Sequence, residues 1–181
     1  MKKILLTLAC SSLVYTQAQE KTQDTSLENL AKIGIFIDHI QLGYELPLGQ
    51  KYLLNLAVGA GGANIIEHNS FEYHLGNNYY GLYGKIQAKY YFNRERRVAK
   101  GRSLINNAGS FLGLQTKWNN NGNKEYTNPT WLTDVHFGQQ VPLGQKFLFN
   151  YQVGLGYGRD LETTEHLVYP AFSFNFSYVI K

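Results

Sequence analysis

Between residues 147 and 158 the chain reads FLFNYQVGLGYG, and its large apolar side chains fall on every second position. Phe147, Phe149, Tyr151, Val153, Leu155 and Tyr157 share one parity; Leu148, Asn150, Gln152, Gly154, Gly156 and Gly158 share the other. Side chains alternate across an extended strand, so a period of two sets an apolar face against a small or polar one. The pattern recurs. Tyr52, Leu54, Leu56, Val58 and Ala60 oppose Leu53, Asn55, Ala57, Gly59 and Gly61, and Phe172, Phe174, Phe176, Tyr178 and Ile180 oppose Ser173, Asn175, Ser177 and Val179. With 14 Tyr, 10 Phe and 18 Gly, the composition also fits a sheet with one greasy side better than a helical bundle.

Three β architectures alternate in this way. A soluble sandwich usually charges its water-facing positions and uses strands of about 5–6 residues. A soluble lipocalin-like barrel turns the apolar face inward. A transmembrane barrel needs strands of about 9–11 residues, apolar outward and polar inward. The long segments here, whose second face carries Gly, Ser, Asn and Gln, match the last. Further strands obey the same rule. Tyr80, Leu82, Ile86, Ala88, Tyr90 and Phe92 point to lipid, with Tyr83, Lys85, Gln87, Lys89 and Tyr91 inward. Leu112, Leu114, Thr116 and Trp118 alternate with Phe111, Gly113, Gln115 and Lys117; Trp131, Thr133, Val135 and Phe137 alternate with Leu132, Asp134, His136 and Gly138.

The strand count turns on KIGIFIDHIQLGYEL. Ile33, Ile35 and Ile37 are odd-numbered, whereas Ile40, Leu42, Tyr44 and Leu46 are even-numbered. A one-residue slip turns every later side chain to the other face, so Asp38-His39 must be a tight turn or a bulge. A turn gives eight antiparallel strands, an even number as in bacterial single-chain barrels; a bulge gives seven. The phrase PLGQ occurs at 47–50 and again at 142–145, each time leading into one of the best alternating segments. It reads as a short hairpin turn, proline fixing φ and glycine permitting positive φ. With both termini in the periplasm, the PLGQ turns and residues 93–108 are periplasmic. Residues 64–78, 119–128 and 159–167 are then outer loops.

The first residues, MKKILLTLACSSLVYTQA, place Lys2 and Lys3 before an apolar run over 4–14, with small residues Thr16 and Ala18 before a cut at Gln19. That is the form of a secretory signal peptide, too short and wrongly flanked for a membrane helix. Cys10 offers a rival, lipid attachment, but only residues 4–9 would separate the lysines from that cut, and Thr7-Leu8 fits the lipoprotein pattern poorly. Removal of 1–18 takes away the one cysteine, and with it any disulfide or Cys-based metal site. It also takes Lys2 and Lys3, half of the formal net charge of +4, so basicity says little about partners. The expected organisation is signal peptide 1–18, N-terminal periplasmic segment 19–29 and barrel 30–181.

At KYYFNRERRVAKGRSLINNAGSFLGL (89–114), NPTW (128–131) and NYQVGLGYG (150–158) the chain resembles small, uncharacterised outer-membrane β-barrel proteins of Bacteroidetes-type bacteria. Shared features are an aromatic strand end, a basic connection and an Asn-Ser/Ala-Gly entry to the next strand. The resemblance implies a fold and a location, and no reaction, ligand or functional residue.

Four groups of residues are candidates for chemistry. Arg94, Arg96, Arg97, Lys100 and Arg102 crowd one periplasmic connection with only Glu95 opposing. They suit anionic head groups, each gaining about 1 kcal/mol near an anionic surface, or form a solvated turn that stops the strands sliding into lipid. Lys85, Lys89, Lys117, Glu45, Asp134 and His136 point into the barrel by parity. A barrel of this size holds side chains rather than a water channel, so these charges should pair in a polar core, the alternative being a narrow ion path. His68-Asn69-Ser70 is the chain's one His-x-Ser, with Glu67 or Glu72 as orienting groups, and resembles the arrangement of lipid A deacylases. On a strand, i and i+2 share a face, so the imidazole would activate the hydroxyl. His68, His74 and His166, near Glu67, Glu72, Glu162 and Glu165, have the ligand types of a transition-metal site but no ligand spacing.

The expectation is an all-β, antiparallel transmembrane β-barrel in the bacterial outer membrane, with a structural or interaction role and no wide pore. It is not an enzyme and needs no cofactor or metal. Its partners are outer-membrane lipid, with lipopolysaccharide or envelope proteins, and not nucleic acid. The alternatives are a lipid or ester hydrolase using His68 and Ser70, and a soluble exported barrel that binds an apolar ligand.

Overall fold

A computed structural model describes residues 25–35, 39–68, 70–74, 80–121 and 127–180. The leader with Cys10, the start of the 19–29 segment, Asp38 and Asn69 lie outside the described residues. Among the described residues ten strands form: β1 (Leu30–Ile35), β2 (His39–Pro47), β3 (Tyr52–Gly61), β4 (Ala63–Glu67), β5 (Ser70–His74), β6 (Gly81–Tyr91), β7 (Gly109–Asn121), β8 (Thr130–Leu143), β9 (Phe147–Asp160) and β10 (His166–Val179). Eight close into one antiparallel barrel, β1-β2-β3-β6-β7-β8-β9-β10, with β10 pairing back on β1; β4 and β5 make a separate hairpin.

The alternation accounts for this closure. Each strand has one face that water rejects and one that it accepts, and closing the sheet gathers the polar faces into a common lumen. In β2, Ile40, Leu42 and Tyr44 are exposed while Gln41 and Glu45 are buried; in β8, Trp131, Val135 and Phe137 are exposed while Leu132, Asp134 and His136 are buried. The barrel is thus apolar outside and polar inside. Ile35 lies opposite Ile40 in the β1–β2 ladder, so the change of phase marks a hairpin and the count is eight.

Both PLGQ phrases hold the same register, Pro47 opposite Leu53 and Pro142 opposite Leu148. Only the second uses glycine's left-handed freedom: Gly144 has φ +79°, whereas Gly49 is not among the positive-φ residues. These turns, the start of β1 and the finish of β10 define the near end of the barrel.

On the outer surface, aromatic side chains face each other across strands at both ends. Tyr52 opposes Tyr90 with ring centroids 5.2 Å apart, and Phe147 opposes Tyr178 at 5.4 Å, both at the near end. Trp118 opposes Trp131 at the far end. Between them the outward pairs are mostly apolar, some aliphatic (Leu56–Ile86, Leu114–Val135, Val135–Leu155) and some with an aromatic partner (Phe137 and Phe172, both facing Val153).

The wall is staggered. Successive partners of Ile33 run through Leu42, Val58, Gly84, Trp118, Trp131 and Arg159 to His166 on β10. Yet the residue of β10 that pairs directly with Ile33 is Tyr178, twelve positions along the same strand. Stagger, tilt and width are linked, so the large stagger goes with steep strands and a wider bore. It also makes a step. β1 holds β10 only from Lys32↔Val179 to Ile35↔Phe176, and among the described residues no strand pairs with 166–175 on that side.

Candidate functional site

The near end is shut by the basic connection itself. Residues 93–108, expected as a solvated turn, fold into α1 (Arg94–Ala99) and a 3-10 turn at Ile105–Asn107. Asn106 and Asn107 take φ of +54° and +57°, a region that asparagine enters more readily than other side chains. The kink drives Asn107 into the lumen, where its Nδ2 donates to Glu45 Oε2 at 2.9 Å and to the Glu28 carbonyl at 2.8 Å. Leu27, Leu53, Tyr91 and Phe111 pack beside it.

Two of the five basic residues are consumed by this plug. Arg94 is buried and donates to the carbonyls of Thr25, Ser26 and Ala108. Arg97 is buried and donates twice to the Ser103 carbonyl; its burial, then the like charge of Arg102, lowers its pKa. Arg96, Lys100 and Arg102 alone remain exposed for an anionic contact. Arg94→Ala should free 25–28 from the barrel base, since hydrogen bonds from a charged donor are worth about 1.5–3 kcal/mol each. Amide exchange in that segment should accelerate while the strands keep their protection; unchanged exchange would refute the tether.

Above the plug lies a charge cluster built from three strands. Glu45 is fully buried, and its Oε1 accepts from Lys32 Nζ at 2.5 Å and Lys89 Nζ at 2.8 Å. Its Oε2 accepts from Asn107 and from Gln140 Nε2 at 3.2 Å. Lys89 also reaches Gln140 Oε1 at 3.1 Å and sits 4.8 Å from the Phe111 ring centre. A buried carboxylate is tolerated when it is paired and its lone pairs are filled, as here.

Next comes a layer of amides around an Asp–His pair. His136 Nδ1 lies 2.5 Å from Asp134 Oδ1, and its Nε2 lies 2.7 Å from Gln87 Nε2. An amide nitrogen can only donate, which assigns the neutral tautomer with the proton on Nδ1. Gln115 Nε2 fills Asp134 Oδ2, and Gln87 joins Asn55 and Gln152. With an amide on its outer nitrogen and 2 % exposure, His136 orients the core and has no nucleophile to activate. A void of about 30 Å³, lined by Lys32, Gln87 and Gln152 among others, is the space left at this level. That is room for about two waters.

The far end is different. Residues 64–78, expected as an outer loop, contain the β4–β5 hairpin, with Glu67 opposite Ser70. The hairpin folds over the mouth: Ile66 packs with Leu132 and Tyr169, the Phe71 ring stacks on Tyr169 at 4.2 Å, and Glu165 Oε2 accepts the His68 N–H. Beneath it a cavity of about 630 Å³ is lined by Tyr83, Lys85, Gln115, Lys117 and Asp134 from the lumen and by β10 from Leu167 to Phe174. Glycines make room for rings there: a Cβ on Gly156 would stand 2.4 Å from Tyr169 Cζ.

Lys85, Lys89, Lys117, Asp134 and His136 all project inward, as their parity requires. Gln87 was read inward from its parity, and Lys32 and Gln140, which complete the networks, share the inward parity of their strands although sequence reasoning did not single them out. His68 occupies the hairpin tip with φ +50° and Ser70 starts the next strand, so the shared-face premise of a His-x-Ser pair fails. His74 Nε2 pairs with Glu72 Oε2 at 2.7 Å, and His166 lies against the Tyr157 ring. Among the described residues no three His, Cys, Asp or Glu side chains are placed to hold a metal ion.

No family model, curated protein or solved structure matches the chain.

Proposed function

We propose that the chain is an outer-membrane β-barrel protein that does not conduct, and that meets its partners at the far end. The observation that carries this reading is the outer surface: a largely apolar, exposed wall with aromatic pairs at the near end and Trp118 opposite Trp131 at the far end. Barrels in lipid have this arrangement, with aromatic rings at the two interfaces. A soluble barrel would leave that whole surface wetted, at a high cost in apolar exposure. The resemblance of 89–114 to small outer-membrane barrels points the same way. Among the described residues the plugged base and the amide layer fill the lumen, which supports a role in interaction or uptake into the far cavity rather than transport through the barrel.

The test is fractionation and gel migration. The folded protein should sediment with outer membranes and migrate faster unheated than boiled. Thr163→Cys, at the far end, should be labelled by an impermeant maleimide in intact cells, and Gln145→Cys, at the near end, only after permeabilisation. Recovery in the soluble fraction would overturn the membrane reading; the reverse labelling pattern would overturn its orientation.

A further inference from the structure

We propose that the far cavity takes in a single acyl chain from the surrounding bilayer, sideways, through an opening in the wall between β10 and the β1–β2 hairpin. The inference deepens the membrane reading and rests on it. The cavity touches both faces of one strand: Tyr169, Ala171 and Ser173 line it from the inward face of β10, and Val168, Pro170 and Phe172 from the outward face. A pocket reaches both faces of a strand only by passing round its edge. β9 covers one edge of β10 without a break from Arg159↔His166 to Phe147↔Tyr178, so the cavity passes round the other. There β1 ends opposite Phe176 and β2 begins at His39, and the three residues between them are too few to reach past Ser173 in that register. Among the described residues no strand pairs with 166–172 on that side. Burial marks the same place. The inward side chains Tyr169, Asn175, Ser177 and Val179 are buried, whereas Ser173 is exposed and Ala171 half-buried. Two small side chains stand where the wall opens.

The backbone is fitted to that opening. The Val179 N–H donates to the Lys146 carbonyl beside β9, and the Ile180 N–H to the Ala31 carbonyl on β1. Successive N–H groups of a strand point to opposite edges, so the even-numbered residues of β10 aim theirs toward the β1 side. The ladder with β9 has no bulge, and the alternation carries through to Pro170. Its missing N–H is therefore one that would have pointed into the gap, and in sheets proline keeps to such edges. Pro170 and Phe172 lie eight and six residues along β10 from Tyr178 of the near aromatic belt. That is no more than about 26 Å, within a hydrocarbon core of about 30 Å. An unpaired backbone donor is costly at that depth, and proline removes it while denying a neighbouring strand its bond. The occupant is read from the two sides of the edge. Outside, Val168 and Phe172, the latter at 76 % exposure, stand among acyl chains; inside, Phe71, Leu132, Leu167 and Tyr169 continue the apolar surface. An unbranched chain can bend round an edge that stops a rigid ring system. The volume of about 630 Å³ lies within the range of about 300–1,000 Å³ usual for small-molecule sites.

Photolabelling from within the bilayer tests the proposal. Folded protein is reconstituted in phosphatidylcholine vesicles doped with a mid-chain diazirine, carried either by a phosphatidylcholine or by methyl palmitate. After irradiation the adducts are mapped by peptide mass. They should fall on the inward residues Leu132 and Tyr169 as well as on the outward, exposed Val135 and Val153. Inward adducts from the phospholipid identify the guest as a chain of an intact lipid; inward adducts from the ester alone identify a free chain. Ser173→Phe, which plugs the opening, should lose the inward adducts and keep both the outward ones and the heat-dependent gel shift. Ala171→Trp is a second plug at the same place, for use if the first does not assemble. Inward adducts that persist in an assembled plug variant overturn entry at this edge. Labelled Val135 and Val153 with no inward adduct from either probe overturns the proposal and leaves the membrane reading standing. No label on Val135 and Val153 overturns the membrane reading, and the proposal with it.

Discussion

Glu45→Ala should prevent stable assembly of the barrel. The substitution leaves Lys32 and Lys89 facing each other, buried at 4 % exposure each, with no carboxylate between them. Removing one partner of a buried ion pair costs about 3–5 kcal/mol, and here one carboxylate serves two ammonium groups and anchors Asn107 of the plug. In detergent refolding, the fraction showing the faster unheated band should collapse and the urea midpoint of the remainder should fall. Glu45→Gln should be intermediate, since it keeps the shape and an acceptor but not the charge. A double substitution, Glu45→Leu with Lys32→Met, should recover part of the loss by removing one of the stranded cations. A wild-type urea midpoint in Glu45→Ala would mean that the cluster is ornamental and that the plug is held by packing alone.

Val153→Arg should be nearly as damaging, and only in lipid. Val153 lies in the middle of β9, points outward and is 58 % exposed. A cation at the midplane of a lipid-facing barrel wall costs about 2–4 kcal/mol, falling to about 0–1 at the interfaces. Phe147→Arg, at the near-end tip of the same strand, should therefore assemble almost normally. The comparison separates two architectures, because in water an exposed arginine is harmless at either position. Equal yields of folded protein for both variants in bilayers would argue that the outer surface is not a lipid surface.

The barrel was legible because its physics is local. Parity alone sets which side of a strand a residue faces, so the outward and inward lists, the lumen lysines and the break between Ile35 and Ile40 could all be read from spacing. What was not legible depends on contacts between distant segments. Arg94 looks like any turn arginine until its guanidinium meets the carbonyls of Thr25 and Ser26, nearly seventy residues earlier. Asn106-Asn107 carries the same turn signal whether it faces water or kinks into a lumen. The β4–β5 hairpin hid for a related reason: its strands are only five residues each, and its apolar residues Ile66 and Phe71 find their partners, Leu132 and Tyr169, on strands far away in sequence. The partner relations of Glu45, shared between β1, β2 and β6, have no trace in any one strand.

A tilted rim has a further consequence for the lipid around it. Among the described residues β1 has six residues and β10 fourteen, so the described wall is shorter on one side of the seam than on the other. At about 3.3 Å per residue, six residues reach no more than about 20 Å even upright, against a hydrocarbon core of about 30 Å. Embedded in a bilayer, the protein forces the leaflets beside β1 to dip, at a cost of fractions of a kcal/mol per Å of mismatch. Acyl chains in that dimple are already shortened and disordered, so pulling one out of register costs less there than anywhere else on the circumference. The thinned patch borders the edge of β10 that no strand pairs with among the described residues. Membrane thickness thereby becomes a control variable: in short-chain lipids the dimple vanishes, and with it the advantage of that one side.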